Sequence, residues 1–314
     1  MRRYEKIVLE AEDKEKLDVL IEAESWATFE AIDGENGELI LRKLKLDRGF
    51  IYDTSYKNPP IPNGYKYVCG KWNNGLVIER CSDRSQFVWV PVGSLDSNGT
   101  FDGDLFIDKF GRRNYLNEES FKRKFYEKLT EELSLQLESV KKYGGFYISR
   151  YNISKNKKTG KPQSIKGVSP WVFIDFDEAQ KIASQMEDSQ DVKSHLTFGA
   201  EYDSVLEWFI KSKARTRGEI EESSNWGRYD CFFVEARKTG SQEENITNNI
   251  YDFADNVSEW TQEQALYSDY FRIIRGCYIS DNRTFRKNIV CMREEKSRSY
   301  FNGKIGFRVA LYFK

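Results

Sequence analysis

Short apolar segments separated by long polar ones limit the folds open to this chain. Runs such as 87–92 and 271–275 have the length of strands, and the clearest helical patterns lie over 118–142, after Asp175 and after Thr197. Regular alternation of strands with helices would predict a parallel sheet, but these segments do not alternate in that way. The sequence also contains no internal repeat. We therefore expect an α+β fold.

A proline-rich stretch divides the chain into two unequal units. Residues 56–64 hold three of the six prolines and are the best linker candidate. The residues before it predict a strand over 6–11, a helix over 13–23 and a hairpin of 28–32 with 38–46 across Asp-Gly and Asn-Gly turns. We expect a small N-terminal α+β attachment unit over 1–57 and a larger domain over 58–314.

The helical patterns carry their own start and stop signals. Residues 118–142 predict one long helix with a single apolar stripe that ends before Gly144. Asp175, with Glu178 three residues later, is typical of a capping box. Thr197 is the corresponding expectation for the start of the next helix.

Charge and hydropathy exclude two classes of protein. The chain has 49 basic and 50 acidic side chains and a net charge of −1, whereas nucleic-acid binders carry a basic excess or stripe. No apolar run approaches the roughly 18 residues of a membrane span. Glu10 interrupts the first apolar run, so we expect no signal peptide and synthesis in the cytoplasm.

Cysteine and histidine usage restricts the metal chemistry. The five cysteines are widely spaced and include no CxxC pair, which argues against a thiolate zinc site and favours reduced thiols. The chain has one histidine, His195, so a site with several imidazole ligands is excluded. We expect His195 to be a packing or helix-entry residue.

Several stretches resemble, in order, the formylglycine-generating-enzyme or sulfatase-modifying family. They are the strand at 87–92, the Gly-Gly-Phe-Tyr-Ile-Ser-Arg-Tyr run at 144–151, Pro-Trp-Val at 170–172, 194–203, Asn-Ile-Tyr-Asp-Phe-Ala-Asp-Asn-Val-Ser-Glu-Trp-Thr at 249–261, 272–276 and 306–310. The resemblance covers roughly residues 60–314. It implies a C-type-lectin-like fold, with much irregular structure around a small antiparallel sheet.

The departures from the family pattern bear on catalysis. The enzymes of this family use two cysteines five positions apart, and the matching positions here are Asp281 and Arg286. Neither side chain can supply the thiolates that bind copper and activate oxygen. Cys277 and Cys291 lie elsewhere in the pattern. We therefore expect a non-catalytic protein that holds neither copper nor iron.

The segment 249–261 matches a stretch that wraps a calcium ion in the family's enzymes. The resemblance implies that the side chains of Asp252 and Glu259 bind Ca²⁺ together with the carbonyls of Asp255 and Val257, since Ca²⁺ prefers oxygen ligands. Asp255 stands where glycine is usual, and Ser258 stands where tryptophan is usual. The alternative is that Asp252 and Glu259 only brace the loop through hydrogen bonds.

The resemblance also suggests a biological setting. Sequences of this style resemble phage and prophage proteins, some of them tail-associated binding proteins and some targets of diversity-generating retroelements. We expect a virion protein, an adhesin or fibre-type component, that acts in a particle or as a homo-oligomer on a host-surface receptor or other virion proteins. The alternatives are a purely structural decoration protein, an oxidase-like enzyme of the family, and a bacterial surface or signalling protein.

The stretch 277–302 is the predicted recognition loop. In the family it lines the catalytic groove or carries the diversified positions. It is rich in Arg and Tyr, which dominate recognition hot spots. The alternative is a solvated basic loop that binds nothing. The expected ligand-binding residues are Tyr278, Asp281, Asn282, Arg283, Arg286, Arg293 and Tyr300.

Overall fold

The computed structural model describes residues 59–72, 74–92, 110–222, 236–276 and 289–314, together with three strands nearer the N-terminus. The helices are α1 Phe121–Lys124, α2 Glu131–Tyr143, α3 Phe176–Gln185, α4 Gly199–Lys211 and α5 Arg217–Glu222. The strands are β1 Lys6–Leu9, β2 Phe29–Asp33, β3 Leu39–Lys43, β4 Tyr65–Cys69, β5 Val77–Arg80, β6 Gln86–Pro91, β7 Phe125–Tyr126, β8 Gly145–Ser149, β9 Ser154–Lys155, β10 Pro162–Gln163, β11 Val192–Leu196, β12 Ser258–Ala265, β13 Ser268–Arg275, β14 Arg293–Ser297, β15 Ile305–Phe307 and β16 Val309–Phe313.

The N-terminal strands form a small antiparallel sheet of their own. Its order is β1-β3-β2, so β3 pairs with both of its neighbours. The predicted first strand and the predicted hairpin are therefore confirmed. The helix expected over 13–23 lies outside the described residues, and the boundary between 57 and 58 stays a prediction.

The larger sheet places hydrophobic side chains on both of its faces. Its order is β11-β16-β8-β6-β5-β4, with every neighbouring pair antiparallel. Successive side chains of a strand point to opposite faces, so Val88 and Val90 pack in one core cluster and Phe87 and Trp89 in another. Residues of α4 join the first cluster and residues of α3 the second. Pro91 is the last residue of β6, a position that suits proline because it has no backbone N–H to donate.

The smaller sheet contains both parallel and antiparallel strand pairs. Its order is β14-β13-β12-β15, and β7 pairs with β12. The β12–β15 pair is parallel, while β13 pairs antiparallel with β12 and β14. The chain passes from the smaller sheet to the larger one at Arg308, between β15 and β16. Residues 305–313 thus form two strands that belong to two different sheets.

The long helix predicted over 118–142 is wrong. The structure has the short helix α1, then an extended Phe125 that pairs with Ala265 in the smaller sheet, then α2. Thr130 begins α2, because its hydroxyl accepts a hydrogen bond from the amide of Leu133. The predicted stop is confirmed: Gly144 ends α2 with a φ of +86°, a left-handed conformation that suits glycine.

Of the two predicted helix starts that follow, one is confirmed and the other is wrong. Asp175 caps α3 as predicted, since its carboxylate accepts from the amide of Glu178 at 2.9 Å. The cap expected at Thr197 is wrong: α4 begins at Gly199, and the Thr197 hydroxyl has no partner among the described residues. Glu127 accepts from the amides of Gly199 and Ala200 instead, at 2.5 and 2.9 Å. A carboxylate at this position also interacts favourably with the helix dipole.

The arrangement of helices beside largely antiparallel sheets confirms the α+β class. Among the described residues, no helix is both long enough and apolar enough to cross a membrane.

Candidate functional site

The β13–β14 hairpin is tied to helix α4 at the base of the predicted recognition loop. Arg275 ends β13, Arg293 begins β14, and the two residues face each other in the strand register. Arg275 Nη2 donates to Asp203 Oδ1 at 2.6 Å, and Arg293 Nη2 donates to Asp203 Oδ2. One carboxylate of α4 therefore holds both ends of the loop that joins β13 to β14.

A second buried carboxylate completes this arginine clasp, defined as Asp203, Glu263, Arg275 and Arg293. Glu263 on β12 accepts from Arg293 Nε at 2.9 Å through each of its oxygens, and Arg275 Nη1 lies 3.6 Å from it. Arg112 also donates to Glu263, at 2.9 Å. The side chains of Asp203, Glu263 and Arg275 are fully buried, so each charge depends on the others for stabilisation.

The guanidinium groups of the clasp also rest on aromatic rings. Arg275 lies 4.4 Å above the ring centre of Tyr202, and Arg293 lies 4.6 Å above that of Phe121. Burial acts to raise the pKa of Asp203, but Arg275 and Arg293 outweigh burial and lower that pKa. The carboxylate is therefore ionised at neutral pH, and the clasp is a set of real ion pairs.

The predicted ligand residues fall in three places. Tyr278, Asp281, Asn282, Arg283 and Arg286 lie outside the described residues. Arg293 belongs to the clasp, and 6% of its side chain is exposed. Tyr300 is 37% exposed and follows the far end of β14. Arg293 and Tyr300 are thus at opposite ends of the strand and do not meet in one site.

The segment that matches the calcium loop is buried and turns sharply. Asp252 and Asn256 have positive φ angles of 57° and 80°, a conformation that asparagine and aspartate tolerate better than most residues. Asp255, which stands where glycine is usual, does not have a positive φ angle. The neighbouring Asn256 takes the left-handed conformation instead.

Arginines already contact two carboxylates of this segment. Glu259 Oε1 accepts from Arg308 Nε at 2.6 Å and from Asn152 Nδ2 at 2.7 Å. Asp255 Oδ2 accepts from Arg237 and from Asn245 Nδ2. Arg308 also donates to the carbonyls of Ser149 and Tyr251. These contacts brace the loop in the way that the alternative to calcium requires.

Two acceptor atoms, one on Glu259 and one on the neighbouring Asn152, nevertheless lack hydrogen-bond partners among the described residues. Glu259 Oε2 and Asn152 Oδ1 are buried and accept no hydrogen bond from the described residues. Asp252 accepts from the amide of Gly240 at 2.7 Å. Burial raises the pKa of both Asp252 and Glu259 to about 6, and a bound cation would oppose that shift.

The donor set therefore fits a hard cation, provided that backbone and amide oxygens complete it. The described ranges contain no group of three or more His, Cys, Asp or Glu side chains that could hold a metal ion by themselves. Asp252, Glu259 and Asn152 would supply side-chain oxygens, and the carbonyls of Asp255 and Val257 the rest. Such a ligand set is typical of Ca²⁺ sites, which accept neutral carbonyl ligands readily.

The His195 side chain and the Cys291 thiol are both buried. His195 on β11 has Nε2 at 2.9 and 3.0 Å from the two oxygens of Glu201, and its side chain is fully buried. Burial acts to lower the pKa of His195, but Glu201 outweighs it and raises that pKa. Cys291 is buried, which raises the pKa of its thiol to about 12 and keeps it protonated at neutral pH. Cys277 lies outside the described residues.

Sequence reasoning missed several residues of these sites, among them Asp203, Glu263, Arg275, Asn152 and Arg308. Asp203 and Arg308 stand inside stretches that carry the family resemblance, and Asn152 follows one directly. The signals available in the sequence were a carboxylate within an apolar helical pattern, Asp203, and a single arginine between two apolar strands, Arg308. Charged side chains are almost never fully buried without a partner, so each of these predicts one.

Neither a family model nor a curated protein matches this chain. Among solved structures, PvdO from Pseudomonas aeruginosa is 16% identical with a TM-score of 0.42, covering 75% of this chain and 97% of that one. Treponema denticola variable protein 1 is 15% identical with a TM-score of 0.38, covering 53% and 84%. CarF is 13% identical with a TM-score of 0.36, covering 54% and 87%. At these values the similarities assign no family and no function.

Proposed function

We propose that this chain is a non-catalytic binding protein of a phage particle. Its C-terminal region would be a C-type-lectin-like domain of the formylglycine-generating-enzyme type, and its N-terminal unit would attach to the virion. The ordered motifs of the sequence support the family, and the α+β architecture is compatible with it. The proposed partner is a host-surface receptor.

The arginine clasp is the observation that carries this proposal. It joins both ends of the loop between β13 and β14 to α4 through buried ion pairs. A loop whose ends are fixed in this way can change in sequence without disturbing the core, and loops on rigid scaffolds often carry recognition. The residues between the ends include the Arg and Tyr side chains from which we expect recognition.

Attachment of the purified protein to host cells tests the proposal. Tyr278→Ala and Arg283→Ala should each weaken attachment about tenfold, the loss of roughly one hot-spot contact. Lys158→Ala, at an exposed position in the turn between β9 and β10, is the matched control and should bind like the unaltered protein. All three should keep the melting temperature.

Two outcomes would favour the alternatives. Unchanged attachment by both loop variants would favour a purely structural decoration protein of the virion. Copper-dependent oxidation of a cysteine-containing sulfatase peptide, lost in Cys277→Ser, would favour an oxidase-like enzyme.

We also propose that the 249–261 segment binds Ca²⁺. Two buried acceptors without partners among the described residues, Glu259 Oε2 and Asn152 Oδ1, and the burial of Asp252, which raises its pKa to about 6, support this. The ion would neutralise charge and cross-link the loop to Asn152. Its role would be structural, and the free energy by which it stabilises the native state would increase with the logarithm of its concentration.

A further inference from the structure

Exposed aromatic side chains are concentrated in one region of the protein. Within the described ranges, the aromatic residues with strongly exposed side chains are Phe173, Tyr267, Tyr270, Tyr300 and Phe301, each between 37% and 68% exposed. All of them lie at or beside the end of the β13–β14 hairpin that is remote from the arginine clasp. A folded protein normally exposes such rings singly, so a group of them indicates an interaction site.

Direct contacts connect this group into one surface. The ring of Phe271 lies 5.8 Å from that of Tyr267 and 5.6 Å from that of Tyr270. The Tyr270 hydroxyl is 2.9 Å from the Ser299 hydroxyl, and Tyr300 and Phe301 follow directly in the chain.

Phe173 extends the surface on its other side. Its amide donates to the carbonyl of Asn302 at 3.1 Å. A Cβ atom at Gly303 would come within 2.8 Å of the Phe173 ring, so this glycine lets the ring lie close against the turn. We call the five exposed residues, with Phe271, the aromatic surface.

The charged groups around the aromatic surface are paired with each other. Arg298 Nε donates to Asp177 at 2.9 Å, and Lys296 donates to Glu294 at 2.5 Å. Glu295 accepts from the hydroxyl of Tyr267. The surface therefore offers no excess of positive charge, which argues against nucleic acid and anionic lipid headgroups as its ligand.

The edge strand beside the surface also argues against pairing with a strand of another protein. Leu266, 51% exposed, is the strongly exposed aliphatic side chain that adjoins it in the described structure. The edge strand β14 carries Glu294, Glu295 and Lys296, and charges of this kind discourage pairing with a strand of another chain. What remains is a row of rings interrupted by hydroxyl and amide groups.

Such a row matches the chemistry of a neutral sugar chain. The face of an aromatic ring carries partial negative charge, and the C–H groups on one face of a pyranose carry partial positive charge, so the two stack. Hydroxyl groups at the ring edges can exchange hydrogen bonds with those of the sugar. We propose that the aromatic surface binds a neutral glycan.

This proposal goes beyond the proposed function, because it adds a second site at the opposite end of the hairpin and gives it a ligand class. Tyr300, predicted as part of the recognition loop, belongs by position to this surface. The loop variant Tyr278→Ala should leave glycan binding intact. Failure of one proposal is therefore visible separately from failure of the other.

Affinity electrophoresis of the full chain through gels that contain hydroxyethyl cellulose, mannan, galactomannan or glycol chitin tests the proposal. At least one polysaccharide should retard the protein, and added salt should leave the retardation unchanged because the ligand is neutral. Tyr270→Ala and Phe301→Ala should each raise the dissociation constant about tenfold. Phe301→Trp keeps an aromatic ring at this position and should bind like the unaltered protein.

Leu129→Ala is the control, since Leu129 is 69% exposed and lies outside the surface. It should bind like the unaltered protein, and melting curves should show that every variant is folded. Absence of retardation in all four gels would overturn the proposal, as would retardation of the Tyr270→Ala and Phe301→Ala variants equal to that of the unaltered protein. A dimer detected by sedimentation and abolished by Phe301→Ala would make the surface a self-association interface and would also overturn it.

Discussion

Replacing Asp203 with asparagine should destabilise the protein far more than replacing an exposed carboxylate. Asp203→Asn keeps the shape of the side chain but leaves Arg275 buried, with its nearest carboxylate at the 3.6 Å of Glu263. Removing one partner of a buried ion pair costs about 3–5 kcal/mol. Because Glu263 still neutralises part of the charge, we expect about 3 kcal/mol, a large share of the ~5–15 kcal/mol that stabilises a typical domain.

Urea denaturation followed by circular dichroism measures this loss, with the same slope expected for both proteins. In a domain of this size, about 3 kcal/mol corresponds to a fall of roughly 6–12 °C in melting temperature. Asp177→Asn is the matched control, since it removes one carboxylate whose side chain is 55% exposed and paired with Arg298. The control should lose no more than about 1 kcal/mol. Equal losses for the two variants would refute the argument that the clasp is a buried ion-pair system.

Three further predictions concern the calcium segment, pH and the domain boundary. Millimolar Ca²⁺ should raise the melting temperature, EDTA should reverse the effect and Asp252→Ala should abolish it; identical curves would leave bracing by Arg308 as the better account. The pKa values of Asp252 and Glu259 are raised to about 6, and that of His195 is raised, so the folded state binds more protons than the unfolded state above about pH 4. In calcium-free protein, stability should therefore fall as pH rises from about 5 to about 8, by about 2 kcal/mol or more, whereas a melting temperature that rises over this window would contradict these shifts. Residues 58–314 should fold without 1–57, and aggregation of that fragment under conditions where the full chain is folded would exclude the boundary.

Signals that act within a few residues were predictable from the sequence. Asp175 caps α3 through an amide three residues away, and Gly144 ends α2 through its own φ angle. The long helix over 118–142 failed because Phe125 is drawn into a strand by pairing with Ala265, far along the chain. Periodicity records which side chains are apolar, but not whether a distant strand competes for the backbone.

The candidate site depends almost entirely on such distant pairs. Glu127 reaches the start of α4 from 72 residues away, and Asp203 is 72 residues from Arg275. Asn152 is 107 residues from Glu259. The resemblance placed several of these residues in recognisable stretches, but it did not say which carboxylate meets which arginine. That information appears only when the two sheets are assembled.

Arg308 determines how a calcium ion could act in the 249–261 segment. The guanidinium occupies Glu259 Oε1 and the carbonyl of Tyr251, and it sits where the chain passes between the two sheets. The unpartnered atoms are the other oxygen, Glu259 Oε2, and Asn152 Oδ1. A cation that used these atoms would not need to displace Arg308, because the two positive groups would bind opposite oxygens of the same carboxylate. Bracing by arginine and binding of calcium are therefore compatible: Arg308 fixes the carboxylate in place, and the ion would neutralise the charge that Asp252 leaves uncompensated.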